Sequence, residues 1–131
     1  MESPNALEKG VLAKLFDGDH PALKLLHQQA ECAMVVSRKV TGAGFFTLFE
    51  VPEGLRLEGV ASAKIRFGDV NAVVVGLQHG AGFLVYVDDG KLKMLEGYTY
   101  DETWPGRVEA FELHYADADR QSVDKTFGLV R

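Results

Sequence analysis

Apolar residues near the start of the chain recur every three or four positions. Leu7, Val11, Leu12, Leu15 and Phe16 make one stripe, the spacing of a helix with a single buried face. Asn5 stands where an N-cap belongs, and Gly18 ends the segment. Pro21, preceded by Asp19 and His20, suits the first turn of a second helix that runs to about Ala33. Leu23, Leu26 and Ala30 line its core face, Ala22 and Leu25 widen it, and Gln28, Gln29 and Glu31 are expected to face water.

From Met34 the period changes from helix to strand. Met34–Val40 and Phe45–Val51 read as strands, the second stopped by Pro52-Glu53-Gly54. Ala61, Ala63, Ile65 and Phe67 alternate with Ser62, Lys64 and Arg66, the pattern of a half-buried strand. Gly68-Asp69 reads as a turn, and Ala72–Leu77, apolar on both faces, as a central strand. Phe83–Val87 and Leu92–Leu95 flank Asp88-Asp89-Gly90, the signature of an antiparallel hairpin. Val108–Tyr115 is the last clear strand, with Phe111, Leu113 and Tyr115 on one face and Glu112 and His114 on the other. Phe127–Val130 is read as a terminal turn or one more edge strand. The expectation is a single α+β domain over residues 1–131. Two N-terminal helices pack on a mainly antiparallel, strongly curved sheet of about six to seven strands.

Gly42-Ala43-Gly44-Phe45 recurs as Gly80-Ala81-Gly82-Phe83. Strand interiors disfavour glycine, so two such tetrads at strand starts call for an account. Bulges, a sharp bend or close contact with an aromatic ring on the next strand would supply one; a ligand or partner backbone passing close by is the alternative. Gly42, Gly44, Gly80 and Gly82, with Gly90 in the hairpin turn, are therefore expected to be structural. A phosphate loop is a poor fit, because it opens a helix and needs Gly-Lys-Ser/Thr.

Composition narrows the partners. The net charge of -5 and scattered Lys and Arg provide no basic footprint for nucleic acid or anionic membrane. No apolar run approaches a membrane span, and the N-terminus lacks an export signal, so a cytoplasmic protein is expected. Cys32, the single cysteine, allows no internal disulfide and is expected to be buried and inert. No two of the four histidines stand at metal-ligand spacing on one element; neither metal nor cofactor is expected.

The richest polar segment is Glu96–Pro105. Glu96, Tyr98, Tyr100, Asp101 and Trp104 are the candidate binding residues, since Tyr and Trp offer large contact area at low entropy cost. Between positions 88 and 102, five acids stand against two lysines, which suits a basic protein partner; self-association through a sheet edge is a further expectation. The alternative is a small enzyme or small-molecule-binding domain with its pocket near Glu96 and the Gly-rich strand starts. Glu96, Asp101, Glu102, His79 and His114 are its acid–base candidates, although no spacing shows any two of them converging, and no catalytic residue is assigned.

Gly80–Gly90, continuing through Leu95-Glu96-Gly97-Tyr98-Thr99-Tyr100 to Trp104-Pro105, resembles a segment of small uncharacterised bacterial proteins with a similar hairpin. The resemblance covers about a fifth of the chain. It implies a standalone cytoplasmic accessory or protein-interaction domain, in some members immunity-like, binding and silencing a toxin. It implies no catalytic residue.

Overall fold

The computed structural model describes residues 1–58, 64–117 and 119–120. Helices α1 (Ala6–Leu15) and α2 (Pro21–Cys32) precede seven strands: β1 (Met34–Val40), β2 (Gly44–Glu50), β3 (Ile65–Phe67), β4 (Val70–Val74), β5 (Ala81–Asp88), β6 (Lys91–Thr99) and β7 (Phe111–Tyr115). A 3-10 turn at Glu53–Leu55 follows β2. The architecture is the α+β arrangement expected, with every strand pairing antiparallel. The expected strand residues Ala61–Ala63 and the Phe127–Val130 segment lie outside the described residues.

Local chemistry sets the helix ends. The Asn5 side chain accepts from Glu8 N and the Glu8 carboxylate accepts from Asn5 N, a complete capping box. At α2, His20 Nδ1 accepts from Ala22 N at 3.0 Å, and Pro21 occupies the first turn. Leu7, Val11, Leu12 and Leu15 of α1 are buried with Leu23 and Leu26 of α2, as the stripe predicts. Gln29 departs from expectation and is fully buried. Its Nε2 donates to Leu55 O at 2.8 Å and Gly90 O at 2.9 Å, and its Oε1 accepts from Leu92 N at 2.7 Å. Those three bonds tie α2 to the 3-10 turn and to the β5–β6 hairpin, and compensate the burial of the amide. Cys32 is likewise not buried: it is exposed at the end of α2.

The sheet runs β1-β2-β6-β5-β4-β7, and β3 also pairs with β5. β3 and β4 lie along the same edge of β5: Phe67 faces Val85, and Asn71 faces Gly82. The register moves by one residue between them, so Gly68-Asp69 is a bulge in a continuing edge and not a chain reversal. A side chain at Gly68 would put its Cβ 1.9 Å from Phe83 O. Asp69 is fixed there by Arg120, whose Nε donates to Asp69 Oδ2 at 2.7 Å. β4 is not buried on both faces as expected. Val70, Ala72 and Val74 face the core, whereas Val73 and Val75 are more than half exposed.

One sheet face is covered by the helices. Val35, Phe45, Phe49, Phe67, Val74, Phe83, Val85, Leu92 and Leu95 form the core there with the helix stripes. The sheet is open but curled, and residues of β1 and of β7 line one cavity, with α1 and the 104–108 segment in its wall. At the β5–β6 hairpin, Asp89 and Gly90 take φ of 54° and 75°, the left-handed pair required by a two-residue turn.

Candidate interaction surface

The two glycine tetrads meet at β6. β2 and β5 flank it, so Phe45 and Phe83 both stand opposite Gly97, and Gly44 and Gly82 both stand opposite Tyr98. On the core face a glycine sits between two phenylalanines; a Cβ at Gly97 would lie 2.2 Å from the Phe45 ring. On the other face a tyrosine sits between two glycines, and a Cβ at Gly82 would lie 2.6 Å from the Tyr98 ring and 2.7 Å from the Tyr100 hydroxyl. The close ring contact considered from sequence is the arrangement at Gly82. Gly44 is crowded instead by backbone, its Cβ position 1.9 Å from Gly97 O. Nothing lies within 4 Å of the Cβ position at Gly42, so sterics require no glycine there.

Alternation along the strands then defines the face that no described element covers. Phe46 and Leu48 of β2, Met94, Glu96 and Tyr98 of β6, and Leu84 and Tyr86 of β5 all point away from the helices. Registry places Leu48, Met94 and Tyr86 in one row, with Phe46, Glu96 and Leu84 in the next. Tyr98 and Tyr100 meet edge-to-face with centroids 5.7 Å apart, a favoured aromatic geometry. Tyr100 is 44% exposed and Leu48 36%. The Tyr86 hydroxyl donates to Glu96 Oε1 at 2.9 Å, and the Arg66 guanidinium stacks on the Tyr86 ring at 4.9 Å. Burial, then the neighbouring Glu96, pushes the Tyr86 phenol above its ordinary value. Burial followed by Tyr100 and Glu96 does the same for Tyr98. Both phenols are thus neutral donors at neutral pH.

The structure separates the residues singled out by sequence. Glu96, Tyr98 and Tyr100 lie together on the uncovered face. Asp101 is exposed in the following turn, at φ 59°. Trp104 is 7% exposed and packs on Phe45 at 5.1 Å, its amide donating to Gly42 O at 2.8 Å. It seals the core instead of extending the tyrosine face. Asp89 pairs with Arg56 and Lys91 with Glu53, so cations offset part of the acidity at the hairpin turn.

The acid–base candidates are also distributed. His79 and His114 line a surface cavity of about 300 Å3 with Tyr100 and Asn71, but Glu96 does not. Glu102 is committed to structure: its two oxygens accept from Gln78 N and His79 N, each at 2.8 Å, and these bonds hold its carboxyl below the usual range. No group of three or more His, Cys, Asp or Glu is placed to hold a metal ion among the described residues. Nor does any helix among them have the length and apolarity to cross a membrane.

Tyr86, Leu84, Phe46, Leu48 and Met94 were not singled out from sequence. Phe46, Leu48, Leu84 and Tyr86 alternate with the buried Phe45, Phe49, Phe83 and Val85. The sequence alternation put Leu92, Met94 and Glu96 on one face, whereas the register shift in the β5–β6 pairing separates the buried Leu92 from the other two. Compared with known proteins, the chain matches no family model, no curated protein and no solved structure.

Proposed function

We propose that the chain is a cytoplasmic protein-interaction domain whose uncovered sheet face docks a partner protein. The observation that carries this reading is the clustering of Tyr86, Glu96, Tyr98 and Tyr100 among Phe46, Leu48, Leu84 and Met94 on the face away from both helices. Aromatic anchors within an apolar patch are the usual composition of a binding hot spot. The hydrogen bond from Tyr86 leaves the Glu96 carboxylate with acceptor capacity for a cation on the partner. An immunity-like role, silencing a toxin, is the form of this reading that the resemblance to small bacterial proteins implies. The enzyme alternative draws no support from the two cavities described above, neither of which joins Glu96 to a histidine.

A photo-crosslinking residue placed at Leu48 or Tyr100 is expected to capture one protein in native cells, and one placed at Lys24 on α2 is not. Tyr100→Ala combined with Glu96→Lys is expected to weaken that complex at least tenfold while the melting midpoint stays within a few degrees. Equal capture from Lys24, or full binding by the folded double variant, would remove this surface. A captured species of twice the chain's own mass would identify a second copy as the occupant.

A further inference from the structure

A cavity of about 360 Å3 lies on the helix side of the sheet, lined by the start of α1, strands β1, β2 and β7, and residues 104–108. Val40, Phe45, Trp104, Val108 and Phe111 supply its apolar lining. Its charged side chains are Glu8, Arg38 and Arg107, one anion and two cations in a chain of net charge -5.

The capacity left among the charged side chains of that wall is one-sided. Glu8 Oε1 accepts from Asn5 N at 2.8 Å and Arg38 Nη2 at 2.7 Å, and Oε2 accepts from Arg38 Nε at 2.9 Å and Thr47 Oγ1 at 2.5 Å. Both oxygens are saturated. Asn5 Oδ1 is engaged by Glu8 N at 2.8 Å. Arg38 spends three bonds on Glu8 and Glu2, which leaves two of the five guanidinium N–H donors. Arg107 is exposed and has no hydrogen-bond or ion-pair partner among the described residues. A polar group entering the cavity therefore meets positively charged donors, beside an aromatic wall.

We propose that this cavity is a binding site for a small organic carboxylate with a flat apolar body. A carboxylate matches the paired donors of a guanidinium, and a ring covers the half-buried Phe111 surface that a bare inorganic anion would leave wet. The volume falls within the range of small-molecule sites, about 300–1,000 Å3. The inference stands apart from the interaction surface, which lies on the opposite face of the sheet.

Trp104 is the single tryptophan, so its emission reports on the cavity wall. The full chain is titrated with phenylacetate, with phenylacetamide and with inorganic phosphate, while backbone amide shifts are followed by NMR. Phenylacetate is expected to saturate with a Kd of about 1 mM or tighter, to shift residues 104–108, and to bind at least tenfold more tightly than the amide. Arg107→Met, at an exposed position, is expected to weaken the acid at least fivefold and leave the amide unchanged. Four results would overturn the proposal: equal affinity for acid and amide, no loss in Arg107→Met, shifts centred on Tyr98 and Tyr100 instead, or phosphate binding as tightly as phenylacetate. Absence of any saturable response up to about 10 mM would do so as well.

Discussion

Glu8 is the most constrained charge among the described residues. Its side chain is 1% exposed and its carboxylate accepts four hydrogen bonds, from Asn5, Thr47 and twice from Arg38. Burial works against its charge, but the bonds from Arg38, Thr47 and Asn5 outweigh that cost and hold its pKa below the ordinary value. Removing one partner of such a pair strands the other, and Glu8→Ala is expected to cost about 3–5 kcal/mol in urea unfolding. The pH dependence follows from the direction of the shift. A carboxyl whose folded pKa is depressed contributes stability above its unfolded pKa of about 4.3, and that contribution disappears as pH falls through the folded value. The stability gap between wild type and Glu8→Gln is therefore expected to be full at neutral pH and to narrow below about pH 4. A constant gap would contradict this account. Asn5 is visible in the sequence as a cap, but Arg38 and Thr47 lie 30 and 39 positions from Glu8 and no local pattern links them to it.

At the scale of elements, the strands β2, β6 and β5 form one packing unit. Phe45, Gly97 and Phe83 stand in line on the core face, and Gly44, Tyr98 and Gly82 on the other. Gly97→Val drives a branched side chain into the Phe45 ring and is expected to lower stability by about 1–3 kcal/mol. Gly42→Ala meets open space and is expected to change it by less than about 0.5 kcal/mol; thermal melting of the two variants checks both values. Much of this layer was legible in the sequence. Helix stripes, the Asp89-Gly90 turn and the alternation of β7 are local signals; the helices and the hairpin formed where their patterns lay, and the last strand starts at Phe111 instead of Val108. Three features were not legible because they depend on distant neighbours. Gln29 is buried because Leu55, Gly90 and Leu92 happen to satisfy its amide. Gly68-Asp69 is a bulge because β5 continues past it as a shared partner. Trp104 turns inward because Phe45 offers an edge-to-face contact.

Over the whole molecule, a curled sheet wraps its helices on one side and leaves the other side to the aromatic surface. The sequence implied two helices on an antiparallel sheet, but not the placement of β6 between β2 and β5, which joins strands far apart in the chain. That placement has a kinetic corollary. Identical tetrads compete for one receptor strand, and either could in principle dock on either flank of it. The two-residue connection resolves the contest, since a hairpin closes in about 1–10 μs and claims its flank before the distant copy arrives. Lengthening the connection after Gly90 by several glycines is expected to remove that head start. Stopped-flow refolding would then show a second, slower phase from chains in which the wrong copy docked first and had to let go.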